Sequence, residues 1–312
     1  RKRKSMKNSF NLFVSIVIPD FNDEARLKIC LEALENQTYD KHFYEVIVVD
    51  NASDEPEKVK ELVGGFDQAI ATYEQSPGSY AARNKGISLA KGEIIAFTDA
   101  DCIPASDWIE KGVANLLQVP NCGLVTGRIN IFFKDPDRLT LVEQYEKVMA
   151  FQQKEHLEQY KYGSTANVFT LKSVINQVGL FDATLKSNGD FEWGRRVYSH
   201  GYQQLYADDT CIAHPARHSF VQLYQRTVRL AGGIYDAQIQ KCDTLIQRNK
   251  FFVRSVLEDL ASPFLTISEI FLNHNLKGFN QKTLIYCINI FVRYVRALEK
   301  IRLKMGGVST RG

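Results

Sequence analysis

Short, nearly continuous apolar runs alternate with amphipathic stretches over the first 120 residues. Val14-Ser15-Ile16-Val17-Ile18, Glu45-Val46-Ile47-Val48-Val49 and Ile94 to Phe97 lack the polar alternation of a half-exposed strand. They predict strands buried on both faces, as in a parallel sheet. Ala69 to Tyr73 predicts a further short strand. Between these runs, Leu27, Leu31 and Leu34 recur at helical spacing behind Asp23, a suitable N-cap. Helices are also predicted near Glu57 to Val63 and over Gly78 to Ala90. Strand, helix, strand, helix at this spacing implies βαβ units with right-handed crossovers. The expected fold is α/β, a mostly parallel central sheet with helices on both faces.

The pattern changes at Cys122. Gly123 to Phe133 is long and extended, Val142 to His156 is helical, and Ala166 to Thr170 is a strand before a short helix ending near Gly179. Phe191 to Ser199 predicts a helix, and Gln203 to Tyr206 and Thr210 to Ala213 predict two strands. After His218 the chain is helical, with Pro263 expected to break it. This divides the chain into a basic tail (1–12), a main domain (13–218, with halves 13–121 and 122–218) and a C-terminal helical region (219–312). In the last helix Leu284, Ile288, Phe291, Val295, Leu298 and Met305 form one stripe, opposed by Arg293, Arg296, Lys300 and Lys304. Such a helix suits an anionic membrane surface, a packed position with a solvated charged back, or a homo-oligomer contact.

Composition narrows the class without choosing a function. The 312 residues are 45% hydrophobic and 24% charged, with a net charge of +3, which suits a globular protein with a large core. That charge is too small to argue for nucleic acid. Six scattered cysteines, with no Cys-x-x-Cys pair, suggest reduced thiols in a cytoplasmic protein. The longest apolar stretch, Leu284 to Val295, contains Asn289 and Arg293 and is too short to span a bilayer.

Candidate chemistry clusters where strands end, the place at which open α/β sheets bind ligands. Asp50 follows the second strand, and Asp99 and Asp101 follow the Ile94 strand. Two carboxylates spaced by one residue repel unless a cation sits between them, and hard oxygen ligands suit Mg²⁺ or Mn²⁺. A second pair, Asp135 and Asp137, flanks a proline and fits a turn.

Val14 to Pro19 with Asn22, the stretch Val48 to Asp54, the stretch Gly78 to Gly86 and Thr98-Asp99-Ala100-Asp101 together resemble the family 2 glycosyltransferases in order and spacing. The resemblance covers about residues 12 to 218. It implies a GT-A fold and inverting transfer of a sugar from a nucleotide-diphosphate sugar. It also implies that Pro19, Asp20, Phe21, Asn22, Asp50, Asn51, Ser53, Arg83, Asn84, Asp99 and Ala100 border the donor nucleotide. Asp101, with Asp99 and His214, would hold the metal. UDP is the default nucleotide, with GDP and dTDP open, and the acceptor is a glycan or lipid-linked glycan.

Inverting transfer needs a general base opposite the leaving group. Asp190, in Ser187-Asn188-Gly189-Asp190-Phe191-Glu192-Trp193, falls on the family's catalytic position. Gly189 stands where a Glu commonly precedes that Asp, so Glu192 is a second candidate. Both acids also suit a helix N-terminus. Trp193, and less so Trp108, has a face that suits a sugar ring or the core. Arg226 and Arg229 are candidates for an anionic acceptor or the donor diphosphate. The Gln-x-x-Arg-Trp arrangement of processive synthases is absent, which favours addition of one sugar. Two rivals remain: a nucleotidyltransferase, and a non-catalytic nucleotide-sugar-binding partner at a membrane.

Overall fold

The computed structural model describes residues 12–310 apart from 241, 243, 273–275 and 277; the basic tail predicted at the N-terminus lies outside these up to residue 11. The buried runs form β1 (Val14–Asp20), β2 (Tyr44–Asp50), β3 (Ala69–Tyr73) and β4 (Ile94–Phe97). They pair in parallel in the order β3-β2-β1-β4. Helices α1 (Glu24–Glu35), α2 (Pro56–Val63) and α3 (Ser79–Leu89) connect them. Alternate side chains of β1 and β2 supply the two cores. Ile16, Ile18, Val46 and Val48 pack with α1 and α2, whereas Val17, Ile47 and Val49 pack under α3.

The second half extends the same sheet. β5 (Ile103–Pro104), α4 (Trp108–Gln118), β6 (Cys122–Phe132), β7 (Val168–Leu171) and β8 (Gln203–Pro215) complete eight strands in the order β3-β2-β1-β4-β7-β6-β8-β5. β7 runs antiparallel to both β4 and β6, and β5 antiparallel to β8, so the sheet is mixed on this side. The two strands predicted near 203–213 are one. β8 pairs along β6 with a register shift at Gly127, which lets the chain pass from 207 to 211 without ending the strand.

Helices α5 (Leu141–Met149), α6 (Gln153–Tyr160), α7 (Lys172–Val178) and α8 (Gly189–Ser199) lie over this half. The single helix predicted over 142–156 is divided. Ala150 turns extended (φ −89°, ψ 147°) and ends α5; Phe151, at a left-handed φ of 50°, follows with its ring against His214, centroids 4.5 Å apart.

The C-terminal layer consists of α9 (Phe220–Ile234), α10 (Leu245–Leu272) and α11 (Phe279–Lys304). Two expectations fail here. Pro263 does not break its helix but lies buried inside α10. Beside it, Thr266 donates to the Ser262 carbonyl and accepts from Asn289 of α11 at 2.9 Å. Packing thus holds the helix through the bond that proline removes. Of the three readings offered for α11, the packed position with a solvated charged back also fails. Lys300 is 1% exposed and meets Asp259 of α10 at 2.5 Å, and Arg296 and Arg293 reach the same carboxylate at 3.1 and 3.7 Å. Of the apolar stripe, Ile288 is buried, but Leu284, Phe291, Leu298 and Met305 are exposed. α11 buries Ile285, Ile288 and Val292 in its first half and, further on, turns Lys300 onto the buried carboxylate of α10. Among the described residues, no helix is long and apolar enough to cross a membrane.

Candidate active site

The parallel register puts Asp20 and Asp50 side by side at the carboxyl ends of β1 and β2. Asp50 accepts the Ser53 N–H at 3.0 Å; its other oxygen, and both oxygens of Asp20, are buried without a hydrogen-bond partner among the described residues. Burial, reinforced by Asp23, Asp50 and Glu24, pushes the Asp20 carboxyl up to about 7. The loops around this pair are laced together. The Asn22 N–H donates to Ser53 Oγ at 2.9 Å, and the Asn22 side chain exchanges bonds with Asp54. Asn51 donates to the Glu74 and Ser76 carbonyls and accepts the Gly78 N–H. Asn22, Asn51 and Ser53 therefore shape this wall of the cleft, beside Pro19 at the end of β1, and the Phe21 ring stands exposed at its edge.

Just beyond β4 the chain presents two carboxylates to different partners. Asp99 meets the buried Arg83 guanidinium at 2.5 Å, while Asp101 faces His214, Oδ2 to Nε2 3.5 Å. Ala100 between them is buried. The ligand atoms of Asp101, Cys102 and His214 lie within 4.8 Å of one another, a cluster that does not include Asp99. His214 Nδ1 is 2.8 Å from the Pro215 carbonyl. A carbonyl can only accept, so Nδ1 carries a proton and Nε2 is the ring nitrogen turned toward Asp101. Burial and the neighbouring carboxylates hold the Cys102 thiol well above its usual range. The pair that fits a hard divalent cation is thus Asp101 with His214.

Asp190 opens α8. It accepts its neighbour Phe191 N–H at 2.9 Å and lies 3.4 Å from the Tyr80 hydroxyl. Burial raises its pKa, while the Phe191 N–H and Arg83 oppose the rise. Gly189 has a steric cause: a Cβ there would lie 2.7 Å from the Tyr80 ring. The loop before α8 is held by α9, whose Leu230 carbonyl accepts from Asn188 at 3.1 Å.

The opposite rim is cationic. Arg26, Arg217, Arg226 and Arg229 line a cleft of about 230 Å³ together with Asp101 and His214. Arg26 pairs with Asp23 at 2.7 Å and Arg217 with the buried Glu146 at 3.2 Å.

Three predicted residues are placed away from the roles first expected. Asn84 is committed at both ends to the Phe181 backbone, donating at 2.8 Å and accepting at 3.1 Å. Trp193 is 2% exposed, donates to the Gly179 carbonyl and packs on Phe181, so no face is open to a sugar. The Glu192 carboxylate is bound by Arg196 one turn on, at 2.6 Å. Conversely, sequence reasoning missed Tyr80, Arg26, Arg217 and Cys102. Cys102 follows the acidic pair directly and Arg217 follows His214 by three residues, so proximity was a usable signal. Tyr80 precedes Arg83 by three residues within the Gly78 to Gly86 stretch, but its contact with Asp190, 110 residues later, could not be read from the sequence.

Acids at the ends of parallel strands, with arginines lining the cleft beside Asp101, suit a phosphate-bearing ligand and its counter-cation. The sequence profile of Glycosyl transferase family 2 matches residues 15–180. The chain belongs to this family and is a glycosyltransferase. It is 36% identical over 244 residues to glycosyltransferase AglE of Haloferax volcanii, covering 77% of this chain and 78% of that protein. It is 24% identical over 241 residues to the dolichyl N-acetyl-alpha-D-glucosaminyl phosphate 3-beta-D-2,3-diacetamido-2,3-dideoxy-beta-D-glucuronosyltransferase of Methanococcus voltae, covering 73% and 74%. The fold is similar to that of the mannosyltransferase PcManGT from Pyrobaculum calidifontis, solved in complex with GDP-Man and Mn²⁺. That match has a TM-score of 0.66 at 17% identity, covering 95% of this chain and 88% of that one.

Proposed function

We propose that the chain is a metal-dependent, inverting glycosyltransferase that moves one sugar from a nucleotide-diphosphate sugar to a glycan or glycolipid acceptor. The carrying observation is a chain of contacts across the cleft: Asp99 to Arg83, Arg83 over the Tyr80 ring at 5.6 Å, and Tyr80 to Asp190. It ties the donor side to the proposed base.

Asp50 accepts from the nucleotide base, and Asp99 lies by the ribose. Asp101 and His214 hold Mn²⁺ or Mg²⁺, which when bound offsets the charge that builds on the departing diphosphate. Arg83 adds a fixed cation to that side, the kind of preorganised electrostatics that contributes about 3 kcal/mol per group. Asp190 takes the acceptor hydroxyl's proton from the opposite face. Burial raises its proton affinity toward that task, and Tyr80 and the Phe191 N–H fix its orientation. The complex of the Pyrobaculum neighbour with GDP-Man and Mn²⁺ supports a metal and keeps GDP beside UDP as the donor nucleotide. The Methanococcus relative's name supports a lipid-linked acceptor. A peripheral site on the cytoplasmic face of a membrane goes with the exposed Phe264, Leu265, Leu272 and Leu298 of α10 and α11.

The test is donor turnover by purified protein across a panel of UDP-, GDP- and dTDP-sugars with Mn²⁺. Asp190→Asn is expected to abolish transfer while nucleotide still binds, and Asp101→Ala to lose metal-dependent nucleotide binding. Intact turnover in both variants would sink the mechanism.

A further inference from the structure

Arg226 and Arg229 stand one turn apart on α9 and line the cleft that also holds Asp101 and His214. Unlike Arg26 and Arg217, neither has a carboxylate within ion-pair distance among the described residues. Two half-buried guanidinium groups beside a third cation, Arg217, are costly without an anion. Burial and Arg217 push Arg226 down to about 10, and Arg229 also falls below its usual range. Nearby, burial and the charge of Arg226 hold His156 down to about 4, so the imidazole is neutral and adds no further cation. The region is built to receive negative charge that the chain does not supply.

The surroundings of the two arginines differ. Arg229 feels Tyr80, Asp99 and Asp190, the centre where transfer is proposed. Arg226 is set among Tyr145, Glu146, His156 and Tyr162, residues of the second half of the main domain, and shares its cleft with Asp101 and His214.

We infer that Arg226, with Arg229 between it and the reacting centre, binds a phosphate group carried by the acceptor. The inference rests on the glycosyltransferase reading above and names its acceptor class: a phosphate ester of a sugar, on a lipid or free. Guanidinium groups grip phosphate oxygens through paired, charge-assisted hydrogen bonds. A second anchor of this kind fixes the acceptor independently of the donor's diphosphate.

The test uses the full chain saturated with Mn²⁺ and either UDP or GDP, titrated calorimetrically with inorganic phosphate and, below its micelle concentration, with dodecyl phosphate. Both probes are expected to bind without displacing the nucleotide. Arg226→Gln is expected to weaken them by about ten- to a hundredfold and Arg226→Lys by less, with nucleotide affinity unchanged within about twofold. The lysine variant separates loss of charge from loss of fold. Tighter binding of dodecyl phosphate assigns a lipid-borne phosphate, and equal binding a free one; either upholds the inference. Phosphate binding that survives Arg226→Gln, or that competes with the nucleotide, overturns it while leaving the donor reading intact. Failure of both nucleotides to bind would instead overturn the donor reading and the inference together.

Discussion

Gly189→Ala probes the join between the proposed base and the donor half. A Cβ at this position would sit 2.7 Å from one ring carbon of Tyr80 and 2.8 Å from two others. Carbon atoms pack at about 3.5–4.0 Å, so ring and helix must part by about 1 Å. Neither moves easily: Tyr80 is 6% exposed and stacks on Phe181 at 5.8 Å. Overpacking of this kind costs about 1–3 kcal/mol of stability. Asp190 is the next residue, and a displacement of about 1 Å in a reacting group costs on the order of a hundredfold in rate, or about 2.7 kcal/mol of barrier. The assay measures transfer rate, nucleotide affinity and thermal midpoint together. Rate and midpoint are expected to fall while nucleotide affinity holds, and Gly189→Glu should be worse although Glu is common there in the family. Adding Tyr80→Leu to Gly189→Ala should recover part of the stability, a coupling of about 1–2 kcal/mol. Wild-type rate and midpoint in Gly189→Ala would refute the steric reasoning.

Other expectations follow from the same structure. His214→Ala is expected to weaken Mn²⁺ binding in the presence of nucleotide by at least about tenfold, read by metal titration. Asp20 ionises at about 7 in the fold against 3.8 when free. The folded state therefore holds the proton between those values, and Asp20 lowers stability as pH rises from about 4 to about 7. Asp20→Asn should leave stability unchanged near pH 4 and raise it by up to about 4 kcal/mol above pH 7, measured by denaturant unfolding at several pH values. Asp259→Asn should cost about 3–5 kcal/mol, because Arg293, Arg296 and Lys300 would lose their shared counter-charge. Asp259→Leu combined with Lys300→Met is expected to be milder than Asp259→Asn in the same unfolding assay.

The parallel half of the sheet was legible because burial on both faces leaves a signature: unbroken apolar runs such as Ile94 to Phe97. The acidic strand ends were legible for a related reason, since carboxylates that follow such runs have few structural uses. What periodicity could not supply was sidedness. α11 carries both an apolar and a basic stripe, and the carboxylate of Asp259, some 40 residues earlier, draws Lys300 of the basic one inward. The helix pattern over 142–156 is interrupted at Ala150 and Phe151, where the Phe151 ring packs against His214, a partner more than 60 residues later. Pro263 stays in a helix that local rules would stop, because α11 packs over it. Within the site, Asn84 and Trp193 match a family pattern but spend their polar atoms on backbone carbonyls and amides. A motif fixes position along the chain; whether a side chain faces the cleft depends on partners brought from elsewhere.

The grip of α9 on the loop before Asp190 has a practical consequence. Gly233 packs so closely that a Cβ would lie 2.6 Å from Ser187, and Lys186 donates to the Ser309 carbonyl at 2.5 Å. Anyone exchanging parts between related enzymes to alter which molecule receives the sugar should therefore transplant residues 186–190, α9 and the tail at Ser309 as one cassette. Swapping the loop alone would set a foreign surface against a neighbour shaped for the original.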